Sequence, residues 1–372
     1  MKILVATVTA GGGHLAAARA LEEAWRGAYP GDEVVCVDLL QMVPRLQRHM
    51  YAQGYVKLVE HAPELWGMVF KKTDNPAAVR KLTRFRRTWA SATNLRFVRY
   101  MKRFRPDVVL CTHYLPLEVM GDLGSRGQRH FTVSVVTDFE AHALWMEQVV
   151  DLYCVAAPET RSSLVARGVD SARVAVTGIP IGGRFGESVD ASGVRRRMGL
   201  RDDLPTLLVL SGGFGMGPVG GMVSALDGVE AEFQVVVVTG RNAELRAELA
   251  VRDTRHPTRV LGYVGNMHEL MGVADLVMSK PGGLTTSEAC ALGKPLFILD
   301  PIPGQEAANS DFLLERGAAV KVNRVEDLAY RVEELLASGK LREMSRSALK
   351  LGKPGAARAV CDEVMRRVGV SG

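Results

Sequence analysis

The chain has 372 residues, 47% hydrophobic and 24% charged, which fits a globular protein and exceeds one ordinary core, so two domains are expected. No apolar run of about 18 residues is present, which excludes a membrane-spanning helix. The formal charge of +6 is unevenly placed: between Pro44 and Arg105, fifteen Lys and Arg face three acids, a balance of +12 that leaves −6 elsewhere.

Residues 2–9 read as a strand, entered without a signal-peptide cleavage pattern, so a cytoplasmic location is expected. Gly11-Gly12-Gly13-His14 then turns into an Ala-rich helix that ends near Tyr29-Pro30-Gly31, and Val34 to Asp38 is a second strand. Residues 41–105 are helical in pattern, basic, and interrupted by Pro63 and Pro76. Strands follow at Val108 to Thr112, Phe131 to Thr137, Leu152 to Ala156 and Arg173 to Thr177. A second series runs from Leu207–Leu210 through Val235–Val238, Arg259–Leu261, Leu276–Met278 and Leu296–Leu299 to Ala319–Lys321. This alternation predicts an α/β protein of two Rossmann-like, doubly wound domains facing a cleft. The expected division is 1–180, a linker at 181–204 with its Arg195-Arg196-Arg197 run, a second domain at 205–350, and a C-terminal helix at 351–372 that packs back on the first domain. Cys36, Cys111, Cys154, Cys290 and Cys361 are scattered without a C-x-x-C pair and read as buried small hydrophobes.

Three glycine turns follow strands. Gly11-Gly12-Gly13-His14 lets the backbone approach a ligand, or is a tight turn with a surface histidine; it has neither P-loop nor G-x-G-x-x-G spacing. A neutral imidazole at a strand's carboxyl end can take a proton from a hydroxyl near pH 7. Ser211 to Gly217 repeats the arrangement, and the next strand ends in Thr239-Gly240-Arg241 rather than an acid, which argues against NAD. Lys280-Pro281-Gly282-Gly283-Leu284-Thr285-Thr286 opens a helix at the carboxyl edge, and Pro303-Gly304-Gln305-Glu306 opens another. Such helix N-termini take phosphate, while Glu288, Gln305 and Glu306 suit sugar hydroxyls; together they describe a nucleotide-sugar site. No D-x-D stands at the end of an apolar strand, Asp138-Phe139-Glu140 coming nearest, so backbone amides are expected to stabilise the diphosphate and no metal or other cofactor is expected.

Asp138 is placed to orient His14 or to bind an acceptor; His142 lines the cleft or is a helix-side histidine; Trp145 reads first as core. The basic segment interleaves Tyr51, Tyr55, Trp66, Phe70, Phe85, Trp89, Phe97 and Tyr100 with its cations. Such helices can lie on an anionic membrane, with Arg84, Arg86, Arg87, Arg99, Lys102 and Arg103 toward the headgroups, or can simply be solvated. No RNA or DNA motif supports a nucleic-acid partner.

In order and number, the motifs resemble the GT-B glycosyltransferases that make glycosyl diacylglycerols, the processive diacylglycerol glucosyltransferases and the plant-type monogalactosyldiacylglycerol synthases. The resemblance covers nearly the whole chain. It rests on Gly11-Gly12-Gly13-His14, Thr137-Asp138-Phe139 with His142 and Trp145, and Thr177-Gly178-Ile179-Pro180-Ile181. It continues through Gly262-Tyr263-Val264-Gly265-Asn266-Met267, Lys280 to Glu288, and Pro303 to Asn309. It implies an inverting transfer of glucose or galactose from a UDP-sugar to diacylglycerol at the inner face of the membrane, with His14 as base and Asp138 beside it. Tyr263, Val264 and Met267 would meet the uracil side, Glu288 the ribose, and Gly213, Gly215, Gly282, Gly283, Thr285 and Thr286 the diphosphate. Gln305 and Glu306 would serve the hexose and Asn309 the donor; Gly12, Gly13, His142 and Trp145 the acceptor. Gly182-Gly183-Arg184 departs from the expected proline-containing turn, and the acceptor loops have no residue-by-residue match. Two other enzymes stay open: an N-acetylglucosaminyltransferase acting on a polyprenyl-linked acceptor, and a UDP-sugar epimerase. So does a sugar-nucleotide-sensing or membrane-binding protein without catalysis.

Overall fold

Ile3, Leu4, Val5 and Ala6 are all fully buried, because β1 (Lys2–Thr7) lies inside a parallel sheet covered on both faces. The computed structural model describes residues 1–9, 12–44, 62–212, 218–299 and 301–370. Two compact units emerge: Met1–Gly183 with Ile302–Gln305 and Pro354–Gly372, and Arg184–Pro301 with Glu306–Lys353.

In the first unit β1 is followed by α1 (Gly12–Ala28), β2 (Glu33–Asp38), a single turn α2 (Leu39–Met42), and α3 (Pro63–Thr73), α4 (Pro76–Thr93) and α5 (Leu95–Phe104) of the basic segment. Then come β3 (Val108–Cys111), α6 (Tyr114–Ser125), β4 (Phe131–Val135), β5 (Leu152–Val155), α7 (Pro158–Ala166) and β6 (Val174–Val176). The strand order is β2-β1-β3-β4-β5-β6, and Val5 lies opposite both Cys36 and Leu110 in parallel register. Alternation along β1 feeds two cores: Ile3 and Val5 meet Leu21 and Trp25, while Leu4 and Ala6 meet Phe97, Met101, Leu117 and Met120. β1 stops at Thr7, short of the predicted end, because Thr9 turns to Asp38, whose carboxylate accepts from its amide (3.2 Å) and hydroxyl (2.6 Å).

The second unit holds α8 (Ala191–Met198), β7 (Thr206–Leu210), α9 (Val219–Leu226), β8 (Gln234–Val238), α10 (Ala243–Ala250), β9 (Thr258–Leu261) and α11 (Met267–Val273). It continues with β10 (Leu276–Ser279), α12 (Gly283–Ala291), β11 (Leu296–Leu299), α13 (Gln305–Glu315), β12 (Ala319–Val322), α14 (Leu328–Ser338) and α15 (Lys340–Leu351). Its parallel order, β12-β11-β10-β7-β8-β9, places the first strand of the series in the middle. Residues expected as linker belong to this unit from Arg184 onward. Asp190 caps α8 by accepting from Gly193 N (3.0 Å), Arg195 donates to Val273 O (3.2 Å), and Arg197 binds Glu269 (2.8 Å). The last helix, α16 (Ala356–Val370), returns to the first unit, where Val360, Cys361 and Val364 join Ile3, Leu21 and Trp25.

Candidate active site

In each sheet the winding direction reverses beside the first strand, which opens a crevice at the carboxyl edge. In the first unit that crevice lies between β1 and β3, and three chain segments meet there. α1 supplies His14, the residues after β3 supply Thr112 and His113, and those after β4 supply Thr137 and Asp138. His14 Nδ1 lies 2.7 Å from the Thr112 carbonyl oxygen and 3.0 Å from Thr137 Oγ1. A carbonyl can only accept, so Nδ1 carries the proton and donates, and Nε2 is left as the basic nitrogen. Burial pushes the His14 pKa down from its ordinary value; the Asp138 carboxylate and the Thr112 carbonyl pull it partly back. The ring is therefore neutral near pH 7.

His113 was not singled out in the sequence, although it follows β3 as His14 follows the β1 turn. Its ring meets His14 edge to face at 4.8 Å, and its Nδ1 caps α6 by accepting from Leu115 N (3.0 Å). Burial, with the neighbouring His14, holds its pKa well below the usual histidine value. Trp145 is buried in the core with its ring 6.4 Å from His14. Gly12 and Gly13 begin α1, Gly12 exposed and Gly13 half-buried. His142 is engaged at both nitrogens: Nδ1 accepts from Leu144 N (3.1 Å) and Nε2 donates to Phe70 O (3.1 Å). It thus ties α3 to the segment after β4, and Asp74 strengthens the tie by binding Arg167 and accepting from Ala143 N (2.7 Å). Phe70 also explains Gly304, whose φ is +100° and where a Cβ would lie 2.8 Å from the Phe70 ring.

In the second unit the crevice lies between β7 and β10. Gly282 caps α12, Gly283 is its first residue, and the amides of its first turn face the carboxyl edge. Thr285 is half-buried; Thr286 is fully buried, and its hydroxyl has no hydrogen-bond partner among the described residues. Ser211 Oγ, at the end of β7 and not singled out in the sequence, is likewise buried without one. Asn309 is fully buried, and its amide donates to Pro281 O (3.0 Å), so it supports the glycine turn from behind. Glu288 is half-buried on α12, and its carboxylate makes no hydrogen bond or ion pair among the described residues; desolvation raises its pKa to about 8. Val264 and Met267 are half-buried, and Tyr263 is 71% exposed with the Arg241 guanidinium 5.7 Å above its ring. Gln305 and Glu306 are half-buried in the first turn of α13. Gly213 and Gly215 lie outside the described residues, as do Tyr51 and Tyr55.

The basic segment divides by face. Arg86 and Arg87, expected toward the headgroups, point inward instead: Arg86 Nε donates to Glu118 (3.0 Å) and Arg87 binds Glu147 (3.0 and 2.6 Å). Burial pushes both glutamates above the usual carboxylate range, against the pull of the arginines. Arg87→Ala leaves Glu147 buried with only Arg86, 3.8 Å away, so a loss of about 3 kcal/mol is expected, at the low end for a broken buried pair, and urea unfolding measures it. Outward, Leu82, Phe85 and Trp89 form one exposed stripe of α4, with the Phe85 and Trp89 rings stacked at 6.1 Å. Leu65, Met68 and Val69 are exposed on α3, and Arg84, Arg96, Arg99, Lys102 and Arg103 are exposed on α4 and α5.

The model of the monogalactosyldiacylglycerol (MGDG) synthase family matches residues 14–181, and that of glycosyl transferases group 1 matches residues 221–350. The processive diacylglycerol beta-glucosyltransferase of Bacillus pumilus is 30% identical over 371 residues, covering 98% of this chain and 95% of that protein. The chain belongs to the diacylglycerol glycosyltransferase family. The family extends to the chloroplastic monogalactosyldiacylglycerol synthase of Spinacia oleracea, 28% identical over 389 residues, with 98% of this chain and 73% of that one covered. Among solved structures, MurG of Acinetobacter baumannii superposes with a TM-score of 0.63 at 17% identity, covering 98% of this chain and 99% of that one. That likeness concerns the fold, the GT-B class of paired parallel sheets.

Proposed function

We propose that this diacylglycerol glycosyltransferase is an inverting enzyme that moves glucose or galactose from a UDP-sugar to diacylglycerol on the cytoplasmic face of a membrane. The setting of His14 carries the reading: its Nδ1–H is bound to the Thr112 carbonyl and its pKa is lowered, which leaves Nε2 to take a proton. The diacylglycerol hydroxyl gives that proton to Nε2 while its oxygen bonds to the anomeric carbon. The bond from that carbon to the diphosphate breaks on the opposite side, and its electron pair leaves with UDP. Asp138 stabilises the imidazolium that forms. Gly12, Gly13 and Trp145 border the acceptor, with His142 behind them.

The diphosphate is taken by the N-terminus of α12 at Gly282 and Gly283 with Thr285 and Thr286, and by the turn holding Gly213 and Gly215. Glu288 accepts from the ribose diol, Tyr263, Val264 and Met267 meet the uracil, and Gln305 and Glu306 hold the hexose while Asn309 braces the turn. Helix-end amides meet the leaving charge, so turnover is expected to survive metal chelation. The exposed apolar stripe of α4, rimmed by cations, lies on the lipid; among the described residues no helix is long and apolar enough to cross a membrane. Phe85→Ser with Trp89→Ser is expected to weaken sedimentation with vesicles roughly tenfold; unchanged sedimentation returns the stripe to solvent.

The test offers UDP-glucose, UDP-galactose and UDP-N-acetylglucosamine separately, with diacylglycerol in anionic vesicles. Glycolipid from one of the two hexose donors is the expected result. Glycolipid from none, with free sugar or an isomer instead, would return the chain to the epimerase reading.

A further inference from the structure

Thr112 grips His14 at two points. Its carbonyl accepts from the ring, and its hydroxyl lies 3.0 Å from the His14 backbone oxygen and 2.8 Å from Thr7 Oγ1. The His14 carbonyl can only accept, so the Thr112 hydroxyl donates to it, and the Thr7 hydroxyl must in turn donate to Thr112 Oγ1. The direction of the chain is thus fixed: Thr7 to Thr112 to the first turn of α1. Thr7 and Thr112 are fully buried, so water does not compete for these bonds. Thr137, 3% exposed, supplies the second acceptor on the same ring N–H. The Thr112 carbonyl fixes the tautomer, because it can only accept, and the two oxygens together fix the rotation of the imidazole. A proton on Nε2 instead of Nδ1 would put a lone pair against that carbonyl, and a flip of the ring would put a C–H against both oxygens.

We propose that Thr112 and Thr137 are positioning residues that lock His14 with Nε2 unprotonated. Asp138 was expected either to orient His14 or to bind the acceptor; in this assignment it supplies charge, while the two threonines supply the geometry. The proposal rests on His14 being the base. The charged and titratable groups bearing on the ring are Asp138 and His113, and neither is altered by the test.

Thr137→Val keeps the shape and removes the acceptor. Turnover is expected to fall three- to tenfold with donor and acceptor KM unchanged. The acid limb of the pH–rate profile should move to lower pH, because an imidazolium lacking one acceptor forms less readily. Thr137→Ser, which restores the oxygen, should return most of the rate. Thr112→Val should lower turnover similarly, with Thr112→Ser as its partner. Nitrogen-15 NMR of the His14 ring gives a readout apart from activity: Nδ1 is protonated in the wild type and in Thr112→Val, whose backbone carbonyl remains, and the Nδ1–H signal shifts in Thr137→Val, where one acceptor is lost. If His14→Ala keeps near-normal turnover, the base reading itself fails. If His14→Ala is inactive but both valine variants keep the wild-type rate and Thr137→Val keeps the wild-type acid limb and Nδ1–H signal, only this proposal fails. A loss that serine does not restore also overturns it.

Discussion

His14→Ala is expected to lower turnover roughly 100-fold or more, with donor affinity unchanged. Among the described residues, the alanine removes the one group in the first-unit crevice whose setting leaves a basic nitrogen for a hydroxyl proton; His113 is deeper, with its Nδ1 committed to Leu115. Donor binding should be spared because the nucleotide contacts are assigned to the second unit, so UDP should still raise the melting temperature of the variant. The pH dependence follows from the direction of the shift. His14 is held below the usual histidine value, so it stays neutral down to lower pH than a free imidazole. Wild-type turnover should therefore persist below pH 6.5 and fall only at lower pH, as the ring protonates. Near-normal turnover by the variant would remove His14 from the base role.

Glu288 carries the second large effect, and it acts in opposite directions on function and stability. Glu288→Ala should raise the donor KM roughly 10- to 100-fold, the range for hydrogen bonds to a charged group, with turnover at saturation less affected. An unchanged KM would refute the ribose assignment. Stability should move the other way. Without donor, the native carboxyl keeps its proton up to about pH 8, whereas an unfolded one loses it near the ordinary glutamate value. Between those two values the native state binds more protons than the unfolded state, so stability falls as pH rises. Each pH unit of that window is worth about 1.4 kcal/mol at most. Glu288→Gln removes the titration, so the unliganded variant should melt higher than the wild type at pH 8 and about equally at pH 4.

Both halves of the fold are legible because parallel strands buried on two faces must be continuous Val, Ile and Leu. Val235 to Val238 and Leu296 to Leu299 could hardly be anything else. The glycine turn after β10 is equally legible, with Gly282 capping α12 and Gly283 beginning it. What the sequence hides is partnership across long separations. Arg86 and Arg87 look like surface cations until Glu118 and Glu147, 32 and 60 residues away, are folded beneath them. The Thr112 carbonyl, 98 residues from His14, is a backbone atom with no signature in residue type. Asn309 is polar and beside the Pro-Gly-Gln-Glu turn, which suggested a sugar ligand; only the packing of α13 shows its amide on Pro281. Asp190 and Arg197 similarly turn the expected linker into a capped helix of the second unit, through partners that composition cannot reveal.

The most direct measurement is the anomeric configuration of the lipid product, read from the proton coupling at the anomeric carbon after incubation with the α-linked UDP-hexose and diacylglycerol vesicles. A single displacement assisted by His14 predicts a β-linked hexosyl diacylglycerol. An α-linked product, or no glycosylated lipid, would contradict it.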